Sequence, residues 1–312
     1  MRVEWRTVGL IGFTYGVWVL AGWLLWPVLP GPALVVMTVL AALHSSLVHE
    51  CIHGHPTRKR WLNELLVAAN LSLVWPYRRF RTLHLRHHHD AHLTDPFEDP
   101  ESYYRAHWQF RAMPGWARAM LRFNNTMVGR IILGPILGTF ALAIGDARQI
   151  WKGDRTILAD WLRHLMGLLP VLLLVIWLFQ IPLWLYLVTV CWGAMGLISI
   201  RTFAEHRWAD NVEGRTIIVE KTPLGWLFLN NNLHVVHHVH PSAAWYELPE
   251  LFAQDRAFWV SYNQGYVFRN YWELFQKWGF HQKEWVDHPS LHVEPDVSLA
   301  VSHVGAENSR QR

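Results

Sequence analysis

Residues 8–29 form an almost unbroken apolar run, long enough at about 1.5 Å per helical residue to cross a bilayer. The run begins after Arg2 and Arg6 and ends in Pro27-Val28-Leu29-Pro30-Gly31-Pro32, a tight connection into a second apolar run at residues 32–48. It lacks a small-residue cleavage site, so it reads as an uncleaved span and not as a signal peptide. A third run, residues 161–179, carries Arg163, His164 and Pro170, and a very short turn joins it to a fourth at residues 182–200. Hydrocarbon offers no partner to an open backbone, so runs of this kind must be helical. The fold class expected is therefore an all-α membrane protein with about four transmembrane helices in two hairpins. Two further apolar stretches, residues 61–75 and 131–144, are too short or too interrupted to span and read as interfacial or re-entrant.

Lysine and arginine fix the orientation. Arg2 and Arg6 precede the first span, the long connection of residues 49–160 is rich in arginine, and so is the segment after Arg201. The two short turns, residues 29–32 and 180–182, carry neither residue. Both termini and the long connection are thus expected in the cytosol, as a helical cap over the span ends.

Composition agrees with a chain that is part membrane and part polar cap. Hydrophobic residues make up 52% and charged residues 17%, while mean hydropathy is only +0.08. Twenty tryptophans suit membrane–water interfaces, where the amphipathic ring sits at headgroup level. The formal charge is +4, but no basic stripe or RNA-binding motif accompanies it, so no nucleic-acid partner is expected and the excess is assigned to anionic headgroups and topology. Of the two cysteines, Cys191 lies in an apolar run and Cys51 beside His49 and His53, and they are not expected to pair. A single integral-membrane domain is expected over residues 1–292, with a polar, poorly ordered tail over 293–312.

Three histidine clusters fall on the arginine-rich side: His49-Glu50-Cys51-Ile52-His53, His84-Leu85-Arg86-His87-His88 and His234-Val235-Val236-His237-His238. Helix positions i, i+3 and i+4 share one face, so each cluster is expected to aim two or three imidazoles at one point. One HxxHH pattern is a weak signal in a chain with 20 histidines. Two copies plus an HxxxH, each beside an apolar segment, are a strong one. Eight nitrogen donors exceed the needs of one tetrahedral zinc and suit two metal ions with open positions.

This pattern resembles the membrane fatty acid desaturase family and its three histidine boxes. His49-Glu50-Cys51-Ile52-His53-Gly54 is similar to that family's first box. The second cluster is followed by Thr94-Asp95-Pro96 and Asp99-Pro100, similar to the family's threonine- and Asp-Pro-rich run. Asn232-Leu233-His234-Val235-Val236-His237-His238-Val239-His240-Pro241 matches the N-x-H-x-x-H-H-x-x-P form. Trp245-Tyr246-Glu247-Leu248-Pro249 resembles a W-Y-x-L-P run common in bacterial members, and the resemblance covers about residues 8 to 250. It implies a non-haem di-iron centre with O2 as co-substrate, held by His49, His53, His84, His87, His88, His234, His237 and His238. A ninth ligand is implied shortly after the fourth span, where His206 fits in type and place.

The same resemblance implies introduction of a double bond into a fatty acyl chain carried on lipid, coenzyme A or acyl-carrier protein, at a bacterial inner membrane. No flavin, haem or ferredoxin module is visible in the chain, so an external donor of ferredoxin, rubredoxin or cytochrome b5 type is expected. Glu50 and Glu205 each adjoin a ligand and read as imidazole-orienting or as capping carboxylates. His44 reads as a buried, hydrogen-bonded residue, and His55, His89, His92 and His240 as supporting neighbours of the boxes. A hydroxylase or a carotenoid ketolase or hydroxylase of the same family is the alternative outcome. A more distant one is an intramembrane zinc protease, because His49-Glu50-x-x-His53 also satisfies H-E-x-x-H. That reading lacks a third ligand, since residues 161–179 and 182–200 contain no aspartate, and it leaves both HxxHH clusters idle. A non-enzymatic metal carrier would explain histidine content but not the box spacing.

Overall fold

Helix α1 (Trp5–Leu25) and helix α2 (Pro30–Ile52) form the first hairpin, α8 (Arg155–Leu178) and α9 (Leu183–Thr202) the second. The computed structural model describes residues 3–89, 91 and 93–291, apart from the side chain of His89. The tail expected over 293–312 and His92 lie outside the described residues. Each hairpin follows from its sequence. Pro30 and Pro32 occupy the first turn of α2, where a missing N–H costs nothing. Asp154 caps α8 by accepting from the N–H groups of Thr156 and Ile157.

The two turns lie together. Trp18 of α1 packs edge-on to Phe179 at 5.2 Å and to Tyr186 at 6.3 Å. Gly22 is needed there, because a Cβ would sit 2.4 Å from the Phe179 ring. The opposite ends of α2 and α9 carry His49 and Arg201. The hairpins therefore have a turn end and a histidine end. Helix α2 runs on through Ile52, so His49 lies inside its last turn and does not follow the span as the sequence reading had it.

Five helices among the described residues are long and apolar enough to cross a membrane, one more than expected. The fifth is α7 (Met127–Trp151), capped by Thr126, whose hydroxyl accepts from Gly129 N–H. The sequence reading shortened it to 131–144 because glycines and Pro135 interrupt its apolar pattern. Both ends of α7 meet the histidine end. At its start Val128 N–H donates to Gly279 C=O at 3.0 Å, and the Arg130 guanidinium lies 4.6 Å from the Tyr103 ring. Near its finish Asp146 accepts two bonds of 2.8 Å from Arg79 and one of 2.9 Å from Trp161 in the first turns of α8. Helix α8 then runs from that end to Phe179 at the turn end. So α7 leaves and returns at one end of the bundle.

The connection after α2 holds α3 (Arg60–Leu66) and an irregular stretch that enters the bundle, the place where a re-entrant segment was expected. Its carbonyls are satisfied by span side chains. Ala69 C=O accepts from Tyr15 Oη at 3.0 Å and Leu71 C=O from Tyr186 Oη at 2.8 Å. Leu73 C=O meets His164 Nε2 at 3.1 Å. Unpaired carbonyls at this depth would be costly, so these donors are what permits non-helical backbone there. Gly167 lets α8 approach, since a Cβ would lie 2.5 Å from Ala68 O.

The cap contains α4 (Tyr77–His89), α5 (His107–Ala112), α6 (Gly115–Asn124) and α10 (His234–Val239). A two-residue parallel pair, β1 (Ile218–Val219) with β2 (Val267–Phe268), lies beneath α10. Cys51 and Cys191 are both buried and free.

Replacing Tyr186 by phenylalanine leaves the buried Leu71 carbonyl without its donor. The expected cost is about 1–3 kcal/mol, read as a lowered unfolding midpoint of the detergent-solubilised protein. An unchanged midpoint would show that the Tyr186 bond contributes nothing to holding the inserted stretch.

Candidate metal centre

All nine histidines singled out from the sequence converge in two groups. His49, His53, His84, His88 and His237 form one, and His87, His206, His234 and His238 the other. Within each group one ring nitrogen per residue lies within 4.8 Å of all the others. Helix α2 contributes His49 and His53 from its C-terminal end. His206 comes from the chain just beyond α9, with its carbonyl held by Tyr103 Oη at 3.0 Å and by Lys283 Nζ.

Helices α4 and α10 each aim two of their three imidazoles at one point, within the two or three that the spacing predicts. Each splits them. Helix α4 gives His84 and His88 to the five-histidine group and His87 to the other, whereas α10 gives His234 and His238 to the four-histidine group and His237 to the first. At about 100° per residue, i and i+4 lie only about 40° apart, and i+3 lies about 60° to the other side. The ring distances follow that angle. His84–His88 and His234–His238 are both 4.6 Å between centroids. His84–His87 and His234–His237 are 5.7 and 5.8 Å.

The nitrogen spacing tests whether metal fits. Nε2 atoms of neighbouring members stand 3.0–3.1 Å apart: His49 to His84, His84 to His53 and His88, and His88 to His237 in one group, and His206 to His87 and His234 in the other. With a metal–nitrogen bond of about 2.1 Å, ligands at right angles would be about 3.0 Å apart and tetrahedral ones about 3.4 Å. The spacing matches right-angled ligation, which leaves positions for other ligands.

Carboxylates fix which nitrogen faces inward. His84 Nδ1 donates to Glu101 at 2.7 Å and His87 Nδ1 to Asp99 at 2.8 Å. An ionised carboxylate only accepts, so both rings keep a proton on Nδ1, and each in its neutral form presents its lone pair at Nε2. Burial alone would raise the pKa of Glu101, but His84 and His87 outweigh it and hold that carboxyl well below its usual range. His87 shows the opposite balance. Burial disfavours its cation, yet Glu101 and Asp99 raise its pKa to about 9. A metal cation at Nε2 would draw on the same attraction. Burial first, and neighbouring imidazoles second, push His206, His237 and His238 well below the ordinary histidine value, keeping them neutral and able to ligate.

Asp99 organises the loop after α4. It also accepts from the backbone N–H groups of Thr94 and Glu101, each at 2.8 Å. In the sequence Asp99 stands out only as part of the Asp-Pro run, and no motif marks Glu101. The available signal was a cluster of carboxylates just beyond a histidine-bearing helix. Glu50 orients no box imidazole; its carboxylate accepts from Trp245 N–H at 3.1 Å. Glu205 Oε1 lies 3.0 Å from Arg201 Nε and 3.6 Å from His234 Nδ1, too far for a normal hydrogen bond to the ring. His44 is buried, with Nε2 2.7 Å from Tyr15 Oη. His55 Nδ1 meets Glu4 at 2.7 Å, and His240 packs edge-on to Trp259.

Removing either orienting carboxylate should loosen metal without unfolding the bundle. Asp99→Asn and Glu101→Gln are each expected to weaken metal affinity about 10–100-fold, measured by competition with a chelator on purified protein. Wild-type affinity in both variants would show that neither carboxylate supports ligation.

Comparison with known proteins gives one family. The family model described as fatty acid desaturase matches residues 21–270, a stretch that includes all nine histidines. No curated protein matches the chain significantly.

Proposed function

The chain belongs to the fatty acid desaturase family, and from that premise we propose that it is an O2-dependent di-iron oxidase that introduces a double bond into a fatty acyl chain. The observation that carries this reading is the convergence of nine histidines into two groups with ligand-like nitrogen spacing. The metal ligands proposed are His49, His53, His84, His88 and His237 for one iron and His87, His206, His234 and His238 for the other. Bound there, the irons would supply the O2-activating chemistry that an unactivated CH2 group requires and no side chain can provide.

The residues of the chain do the rest. Glu101 and Asp99 hold His84 and His87 in the ligating tautomer. His53, His88 and His238 are half-buried while the other six are buried. Four electrons reduce O2 to two waters. Two come from the acyl chain as it loses two hydrogens, and two come from a separate donor of ferredoxin, rubredoxin or cytochrome b5 type. An acyl group on lipid, coenzyme A or carrier protein is the substrate class.

The protease alternative requires Glu50 to act as a base beside the metal. Its bond to Trp245 N–H gives it another task, and His49 and His53 share their group with three further histidines.

The same reading places the protein in the membrane with four crossings. Helix α7, which starts and ends at the histidine end, is proposed to lie along the interface. The histidine groups and both chain ends then share the cytosolic side of a bacterial inner membrane. Two contacts support this. Glu4 pairs with His55 at the start of the cap, and Arg105 N–H donates to Val286 C=O near the end of the described chain.

Cysteines introduced at Arg58, Lys152 and Val28, all exposed, test that topology. Arg58→Cys and Lys152→Cys are expected to label from one side of a sealed vesicle and Val28→Cys from the other. Lys152→Cys labelling together with Val28→Cys would mean that α7 crosses.

Mass spectrometry of lipids from an expressing host tests the reaction. An acyl chain lighter by two mass units is expected, with about two irons per purified chain and loss of product when any of the nine histidines becomes alanine. A gain of sixteen mass units would make the protein a hydroxylase. An altered carotenoid beside unchanged acyl chains would make it a ketolase or carotenoid hydroxylase, and a single stoichiometric zinc would overturn the di-iron reading.

A further inference from the structure

Asn231 sits between the two histidine groups, buried, three residues before His234. Its Oδ1 accepts from His234 Nδ1 at 2.8 Å. Its Nδ2 lies 3.5 Å from Nε2 of His49, a member of the other group. It is thus in contact with both groups through one side chain. The orientation of the amide follows from chemistry. If it were turned over, its NH2 would face His234 Nδ1, and the imidazole proton would have to move to Nε2. That Nε2 already faces the Nε2 atoms of His206 and His238 at 3.1 Å each, where a proton would block a metal.

His234 also differs from the α4 histidines in its partner. His84 and His87 donate to carboxylates, whereas the nearest carboxylate to His234 Nδ1, Glu205, is 3.6 Å away and is paired with Arg201. The neutral amide oxygen is the acceptor that remains. A neutral acceptor makes the imidazole a weaker donor to metal than a carboxylate partner does.

We propose that Asn231 is a positioning residue for the four-histidine group. Its oxygen locks His234 in the Nδ1–H tautomer needed by the four-histidine group. Its Nδ2 faces the five-histidine group at His49. This inference rests on the reading of the two groups as metal sites, and it assigns the tautomer lock of the third box to a residue outside the box.

Titration of metal-free protein with Co2+, followed by visible absorption, separates the two sites without any turnover. Wild type is expected to take up two equivalents. Asn231→Leu, which keeps the volume and removes both polar functions, is expected to weaken one of the two equivalents about 10–100-fold and leave the other near its original affinity. Asn231→Ser, too short to reach His234, should behave the same way and serves if the leucine chain does not fold. Asn231→Asp keeps the acceptor and is expected to restore the weakened equivalent. Two wild-type equivalents in the leucine or serine variant would overturn the proposal, and so would an aspartate variant as weak as leucine. A wild-type protein that binds fewer than two equivalents would instead overturn the two-site reading on which it rests.

Discussion

Imidazole nitrogens stand 3.0–3.1 Å apart, and the architecture around them is organised to hold them there. Metal ions placed there would be ligated only if every ring presented its lone pair inward. The inward tautomer is imposed from outside the groups, by Glu101 on His84, Asp99 on His87 and Asn231 on His234. These partners sit on segments that the spans and cap elements fix. The position of one imidazole therefore depends on contacts far along the chain.

The membrane part supplies the rigidity. His49 and His53 extend from α2, whose central residues are the most deeply buried in the bundle. Helix α4 is pinned at its start by Arg78 to Glu64 of α3, Arg79 to Asp146 of α7, and Tyr77 Oη to the Cys51 carbonyl. Ion pairs at an exposed surface contribute little, but Asp146 is buried and accepts from Trp161 as well, so this pair joins α4, α7 and α8 at one point. The inserted stretch after α3 fills the space between the hairpins with backbone whose carbonyls are met by Tyr15, Tyr186 and His164. Tyrosine hydroxyls inside an apolar bundle have few other partners, which makes these bonds specific in register.

The spans and the histidine boxes could be read from the sequence because both are periodic and local. A bilayer-length apolar run and an HxxHH repeat need no tertiary information. Helix α7 was read too short for a local reason as well: Gly134, Pro135 and Gly138 weaken its pattern, and Arg130 and Asp146 at its ends look like boundaries until their partners Tyr103 and Arg79 are seen. The orienting residues were less legible. Asp99 and Glu101 lie in a loop, where no period predicts which way a carboxylate points. Asn231 is one of three consecutive asparagines, Asn230, Asn231 and Asn232, and only the fold distinguishes it. Asn230 donates to the Trp245 carbonyl and Asn232 to the Val219 carbonyl. Of the two roles that the sequence allows Glu50, the imidazole-orienting one is not met, because neighbouring residues on a helix face about 100° apart.

The division of the histidines follows from the same helical angle. The i and i+4 rings of an HxxHH segment lie close in azimuth and the i+3 ring departs from them, so one such helix naturally serves two points. Placing α4 and α10 against each other lets each supply a pair to one group and a single ring to the other. His88 and His238, the i+4 members of each, stack across the seam at 4.2 Å between centroids. That exchange gives each group three rings from the two helices. The HxxxH of α2 adds two to one group and His206 adds one to the other, which accounts for five and four. The asymmetry between the groups therefore originates outside the HxxHH helices, in the end of α2 and in the turn beyond α9. Those are the two places where the membrane spans themselves reach the centre.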